Sequence, residues 1–278
     1  MTSLFVSDLH GSTRRYDRLF ESIKQVLPKN VFVCGDVFPH RMNSQGFIAG
    51  YLRPQVKRLQ EHLREHFPLI YLILGNDDPR AAEPELLELE SQGLCIYCHG
   101  KRANTDRYVV IGYNYIPPTP FQLKDWERYD VSRYVDPGCT PPDEGETSVD
   151  LSETERKWST IASDLDKLTE NVDLTNAILM FHSPPYDTQL DRAALDGQSF
   201  EGIPLDLHVG SIAIRRFIEK RQPMLTLHGH VHESTRLTGT WRQKIGRTHC
   251  MNAAHDGPEL SVIRFKIDEL ESAERILI

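Results

Sequence analysis

Three short apolar runs constrain this chain most, because each stops at the same kind of polar cluster. Leu4-Phe5-Val6-Ser7 ends in Asp8-Leu9-His10-Gly11, Val31-Phe32-Val33-Cys34 ends in Gly35-Asp36, and Leu69 to Leu74 ends in Gly75-Asn76-Asp77-Asp78-Pro79. Continuous apolar runs of this length read as strands buried on both faces. Between the first two, Tyr16, Leu19, Phe20, Ile23, Val26 and Leu27 recur at helical spacing. Pro54 to Phe67 reads as a second helix before the third run. Strand, helix, strand, helix, strand predicts parallel pairing inside an α/β layer structure. In open α/β sheets, sites form outside the carboxyl ends of the strands. That is where these polar residues fall.

Further along, Glu83 to Glu90 predicts a short helix, and Leu94 to Cys98 with Arg107 to Gly112 predict two strands of a meander. Tyr115 to Phe121 holds three prolines, which fix φ and cannot extend a ladder, so a stiff loop is expected. Residues 136–150 are rich in Pro, Gly and acid and read as an exposed, mobile insertion. Ser152 or Thr154 caps a predicted helix running to about Asn171. Ala177 to Phe181 is a further buried strand, ending in His182-Ser183-Pro184-Pro185. Ser211 to Arg221 is an amphipathic helix with Ile212, Ile214, Phe217 and Ile218 as its inward face. Pro223 to Leu227 leads into His228-Gly229-His230-Val231-His232, and Thr248 to Asn252 and Leu260 to Ile267 read as closing strands. Neither a fixed-period repeat nor a second composition class is present, so one domain over residues 1–278 is expected.

Composition narrows the partners. The net charge of −8 repels nucleic acid at long range and argues against it as a ligand. No apolar run approaches the ~20 residues that a membrane span requires. The N-terminus enters a strand directly, with no signal-peptide pattern. Five scattered cysteines argue for a reducing compartment, and a cytoplasmic protein is expected. Cys95-Ile96-Tyr97-Cys98 has redox or zinc spacing, but no second such pair exists and its context reads as a strand.

The strand ends collect Asp8, His10, Asp36, Asn76, His182, His230 and His232. Alternation along a strand sends His230 and His232 the same way, and Gly229 lets the backbone bend before them. Two carboxylates, a carboxamide and four imidazoles suit two divalent first-row ions (manganese, iron, cobalt, nickel or zinc) better than calcium. One aspartate can bridge two ions about 4 Å apart. Singly, each residue reads more simply as a turn, cap or surface group; together they define a site. His62 and His66 share a helix face with Glu61, Arg64 and Glu65 and read as solvated. His228 should point away from the motif, toward the second layer. Ser183 lacks a nucleophile elbow and is expected to make a local hydrogen bond.

Asp8-x-His10, Gly35-Asp36, Gly75-Asn76, His182 and Gly229-His230-x-His232, in that order, resemble the calcineurin-like metallophosphoesterases. Pro118 to Phe121, His182 to Tyr186 and Gly229 to Ser234 are similar to the small prokaryotic Icc-like branch. The resemblance implies a four-layer αββα sandwich with mixed sheets and metals at its rim. It implies that Asp8, His10, Asp36 and His232 hold one ion and that Asp36, Asn76, His182 and His230 hold the other. The activity implied is attack of a metal-bound hydroxide on a small phosphoester, a phosphodiester before a monoester. The alternative implied is a catalytically weak scaffold for a protein partner, as in the retromer subunit of this fold. A DNA-repair nuclease of the same superfamily fits less well, since nothing after His232 is long or basic enough to hold nucleic acid. Two departures stand out. His40 follows the second motif where the family has a further acid, and is read as a loop residue. Asp77 replaces the histidine of the third motif, which in the family lies near the leaving group. An aspartate of ordinary pKa, about 3.9, is ionised at neutral pH and cannot donate a proton. Asp77 either faces the site or caps the following helix with Asp78.

Overall fold

The computed structural model describes residues 2–39, 44–105 and 107–278; His40 lies outside them. Two six-stranded mixed sheets form its centre. The first has the order β14 (Glu274–Leu277), β13 (Ser261–Lys266), β1 (Thr2–Val6), β2 (Asn30–Cys34), β3 (Leu69–Ile73) and β4 (Ile96–Tyr97). β1 to β4 are parallel, while β13 pairs antiparallel with β1 and β14 antiparallel with β13. The second has the order β11 (Arg242–Ile245), β12 (Thr248–Asn252), β10 (Leu225–His228), β7 (Ala177–Phe181), β6 (Val109–Tyr113) and β5 (Arg102–Asn104). Its four inner strands are parallel and both edges antiparallel. A small hairpin, β8 (Ser199–Phe200) with β9 (Ile203–Pro204), stands apart.

Period-two alternation divides each strand between two cores. Phe5, Phe32, Tyr71 and Ile73 of the first sheet meet Val110, Ile178, Met180, Leu225, Leu227 and Met251 of the second. The alternate residues Leu4, Val6, Val31, Val33, Ile70 and Leu72, and on the other sheet Ile111, Leu179 and Phe181, pack under helices. Leu19 and Ile23 of helix Thr13–Val26, Val56 of helix Arg53–Leu63 and Leu89 of helix Glu83–Ser91 lie over the first sheet. Phe217 of helix Ile212–Arg221 lies against Phe181 of the second. The result is the expected αββα order. Each fully buried side chain of this size contributes roughly 1.5–3 kcal/mol.

Several local expectations change. Residues 94–98 and 107–112 do not form one meander: β4 lies beside β3 in the first sheet and β6 beside β7 in the second. Tyr97 fixes β4 to the first sheet's helical layer, donating its hydroxyl to Glu83 at 2.8 Å and its N–H to Glu90 at 3.0 Å. The predicted helix after Ser152 breaks into Glu153–Trp158 and Ile161–Leu168. Thr160 restarts it as a cap, accepting the Ser163 N–H at 3.1 Å, while the Ile161 N–H goes to the Tyr129 carbonyl at 2.8 Å. On helix Ile212–Arg221 the buried positions are Ala213, Ile214, Phe217 and Ile218, with Ile212 half-buried.

Residues 136–150 are tied down rather than loose. Pro142 is buried, and the Lys124 N–H donates to the Glu146 carbonyl at 2.7 Å. The Glu146 N–H returns to Gln122 at 2.8 Å, and Ser148 donates its N–H to Asp125 at 2.8 Å. Backbone pairing, which Pro and Gly content does not reveal, holds this segment. Cys95 and Cys98 flank β4, with no further cysteine pair beside them among the described residues. No helix among the described residues is long and apolar enough to cross a membrane.

Candidate metal centre

The carboxyl ends of β1, β2 and β3 in one sheet and of β7 and β10 in the other meet at one rim. The loops leaving them are stitched together. The Asp8 N–H donates to the Gly35 carbonyl at 3.0 Å, the His10 N–H to Asp36 at 2.7 Å, and the Gly229 N–H to His182 at 3.0 Å. Asp8, His10, Asp36 and His230 adopt left-handed backbone, with φ of 56°, 45°, 49° and 70°. Such φ values cost non-glycine residues roughly 1–3 kcal/mol each and gather at functional sites. Here the cross-loop hydrogen bonds hold them. The preceding glycines are required by close approach. A Cβ on Gly75 would lie 2.3 Å from Asp36 Oδ1 and 2.6 Å from His182 Nε2, and one on Gly35 would lie 2.3 Å from His182 Nδ1.

This packing brings two adjoining groups of donors together. In the first, the side-chain donors of Asp8, His10, Asp36 and His232 all lie within 4.8 Å of one another. His232 Nε2 is 3.1 Å from Asp8 Oδ1 and 3.3 Å from His10 Nε2, and His10 Nε2 is 3.7 Å from Asp36 Oδ2. In the second, His182 Nε2 is 3.3 Å from Asp36 Oδ2 and 3.2 Å from Asn76 Oδ1. The His230 ring lies 5.2 Å from the His182 ring, and its backbone N–H donates to Asp8 Oδ1 at 3.1 Å. Asp36 belongs to both groups. Donors about 2.1 Å from a common tetrahedral ion stand roughly 3.4 Å apart, close to these separations. His182 donates from Nδ1 to the Cys34 carbonyl at 2.9 Å, which turns Nε2 toward Asp36 and Asn76.

The electrostatics favour positive charge at this point. Burial pushes the Asp36 carboxyl up, but the His182 charge outweighs it and holds it at about 2. Burial acts the same way on Asp8, and the charge of His232, with those of His182 and His10, holds it well below the usual carboxylate range. In return, burial lowers His182 and His232, while Asp36 and Asp8 respectively outweigh it and raise them to about 10 and about 9. Burial and the His182 charge push His230 down to about 3. Two carboxylates therefore draw protons onto the imidazoles, a demand that divalent cations would also meet by displacing those protons.

Asp77 faces this centre. Its Oδ2 lies 3.5 Å from His10 Nδ1, its Oδ1 accepts from Asn76 Nδ2 at 3.2 Å, and its N–H donates to Asp36 Oδ1 at 3.0 Å. The capping alternative is not what forms, since the turn Arg80–Ala82 has no side-chain cap. Asp78 instead points inward, fully buried, and accepts the N–H groups of Val37 at 2.9 Å, Phe38 at 2.8 Å and Gly75 at 2.9 Å. Burial and then Asp36 raise its carboxyl to about 8. It clamps the second motif loop to the third, a role that the sequence pattern left unseen. Arg15 was also missed: it donates from Nη1 to the Asp8 carbonyl at 2.6 Å and from Nη2 to the Gly257 carbonyl at 2.7 Å. Only helical position, not motif spacing, could have pointed to it. His228 is fully buried on the outer face, stacked on Phe181 and bonded to Ser183 and Thr226. His62 and His66 are exposed, and the Ser183 hydroxyl donates to the Pro184 carbonyl at 3.1 Å.

Residues 1–234 match the family model described as calcineurin-like phosphoesterase. The chain belongs to that family. It is 37% identical over 81 residues to an uncharacterized protein of Methanocaldococcus jannaschii, a match covering 28% of this chain and 31% of that protein. A solved structure from Thermus thermophilus shares the fold with a TM-score of 0.56 at 14% identity, covering 99% of this chain and 98% of that one. A structure described as a novel archaeal phosphodiesterase aligns over 100% of both chains, with a TM-score of 0.47 and 9% identity.

Proposed function

We propose that this chain, folded as one domain, is a dinuclear-metal phosphodiesterase acting on a small phosphoester. The observation that carries the reading is the sharing of Asp36 between two donor groups, each with carboxylate or carboxamide oxygen and imidazole nitrogen. Asp8, His10, Asp36 and His232 would hold one ion, and Asp36, Asn76, His182 and His230 the other. This oxygen and nitrogen set suits manganese, iron, cobalt, nickel or zinc. When bound, two such ions supply an ionised water nucleophile near neutral pH and stabilise the charge on phosphoryl oxygens. The chain's own residues set the rest. Asp78 and the stitched loops fix Asp36 and Asn76, and the Cys34 carbonyl fixes the His182 ring. Asp77, beside His10, brings a carboxylate where the family has an imidazole. An ionised carboxylate gives no proton to a leaving group, which favours diesters with stable leaving groups. Five free cysteines fit a reducing, cytoplasmic setting.

The test is hydrolysis of a chromogenic phosphodiester by purified protein, with and without chelation. Loss on chelation, recovery on adding manganese and absence in Asp36→Asn are expected. Turnover that survives chelation and Asp36→Asn would refute the reading, and inactivity of the metal-loaded protein on all esters would favour the scaffold alternative.

A further inference from the structure

A cleft of about 730 Å³, lined by none of the proposed metal ligands, opens between Tyr113 at the end of β6 and helix Ile161–Leu168. Its volume lies within the roughly 300–1,000 Å³ typical of small-molecule sites. Its lining is cationic in a chain whose net charge is −8: Arg80, Arg102, Arg128 and Lys167 face only Glu155 and Asp164. The two acids are already committed. Glu155 accepts from Arg80 at 2.6 Å, and Asp164 holds Arg128 and the Tyr113 hydroxyl, the latter at 2.7 Å. Arg102 and Lys167 therefore carry charge that no carboxylate among the described residues neutralises. Among the described residues Arg102 donates only to the backbone carbonyls of Leu168 and Glu170, and Lys167 is exposed.

His99 supplies a directional donor to the same space. Its Nδ1 accepts the Asn114 N–H at 3.1 Å, so the neutral ring carries its proton on Nε2. Nε2 has no hydrogen-bond partner among the described residues, and His99 lines the cleft. The ring is gripped by Trp126 at 5.0 Å and Tyr115 at 5.4 Å, which hold it in place. Burial, and then the charges of Arg128, Arg80 and Lys101, push this imidazole down to about 3, so it remains a neutral donor. A fixed N–H that lines the same cleft as two unneutralised cations is complementary to a tetrahedral oxyanion bearing two charges.

We propose that this cleft binds the phosphoryl group of a small phosphorylated organic molecule, at a site separate from the metal centre. The volume exceeds what inorganic phosphate alone would fill and leaves room for an organic portion. The inference does not depend on the proposed phosphodiesterase reading.

The test uses Trp fluorescence, since Trp126 touches the His99 ring, in the full metal-loaded protein titrated with adenosine 5′-monophosphate or with inorganic phosphate. Wild type and Asp36→Asn should both show a saturable change, with the nucleotide tighter than phosphate. Lys167→Glu, at an exposed side chain, should weaken the nucleotide by roughly tenfold or more, with an unchanged melting temperature. His99→Phe, which keeps the ring packing, should weaken it too. Equal affinity in wild type, Lys167→Glu and His99→Phe would overturn the proposal, as would loss of the signal in Asp36→Asn alone. Phosphate binding as tightly as the nucleotide would overturn the organic portion's part in it.

Discussion

Replacing Gly75 with alanine puts a methyl group where the centre has no room. Its Cβ would stand 2.3 Å from Asp36 Oδ1, 2.6 Å from Asp36 N and 2.6 Å from His182 Nε2. Carbon cannot approach so closely; His182 Nε2 is a donor of the proposed ions, and Asp36 Oδ1 belongs to the carboxylate that they share. One or more of them must move by about half an ångström, against a tolerance of roughly 0.2 Å in metal–ligand distances. Overpacking of this kind costs about 1–3 kcal/mol, and each kcal/mol lowers the melting temperature by roughly 2–4 °C in a chain of this size. Gly75→Ala should therefore stay folded at 25 °C, yet lose bound metal on dialysis and lose most turnover. Gly50→Ala is the control, because a Cβ there meets nothing within 4 Å. It sits in the helical turn Ile48–Leu52 and should gain up to about 0.5–1 kcal/mol with no change in metal content. Full metal occupancy and full turnover in Gly75→Ala would refute the reasoning.

Other outcomes follow from the same geometry. Asp77→His should raise turnover on esters with poor leaving groups, within the roughly 10²–10⁴-fold that general acid help supplies; an unchanged preference across leaving groups of graded pKa removes Asp77 from the mechanism. Asp130 caps helix Ile212–Arg221 from a distant loop, accepting from the Ser211 hydroxyl at 2.6 Å and the Ile212 N–H at 2.7 Å. Asp130→Ala should cost about 0.5–2 kcal/mol, read as a lower urea midpoint at constant slope. His99 takes up its proton at about 3 when folded, against 6.5 ordinarily, so the unfolded chain binds more protons between those values. Stability should fall as the pH drops from 6.5 toward 3, and more gently in His99→Phe; identical pH profiles would contradict this.

How much of this was legible in the sequence varied with the kind of signal. Strands buried on both faces were read nearly to the residue: Ala177–Phe181 forms as expected, and Val31 to Cys34 lies within Asn30–Cys34. The candidate site residues come together because each follows such a strand, and a parallel arrangement sends them all to one rim. What failed depended on partners distant in sequence. Nothing local showed that β4 and β6 belong to different sheets, because the choice is made by Tyr97 against Glu83 and Glu90. Proline and glycine suggested a loose segment at 136–150, whereas Gln122, Lys124 and Asp125 hold it. The sequence left open whether Asp78 helps Asp77 cap a helix, because its partners Val37 and Phe38 lie about forty residues earlier.

Metal stoichiometry by elemental analysis tests the central claim most directly, measured on the purified protein beside Asp36→Ala and Asp8→Ala. Two divalent ions per chain are expected in the wild type. Asp36→Ala should lose both, because its carboxylate serves both donor groups, and should lose more turnover than Asp8→Ala, which is expected to empty chiefly the site shared with His10 and His232. Full occupancy of both sites in Asp36→Ala, or a wild-type protein that holds a single ion at saturation, would contradict a centre built around a shared Asp36.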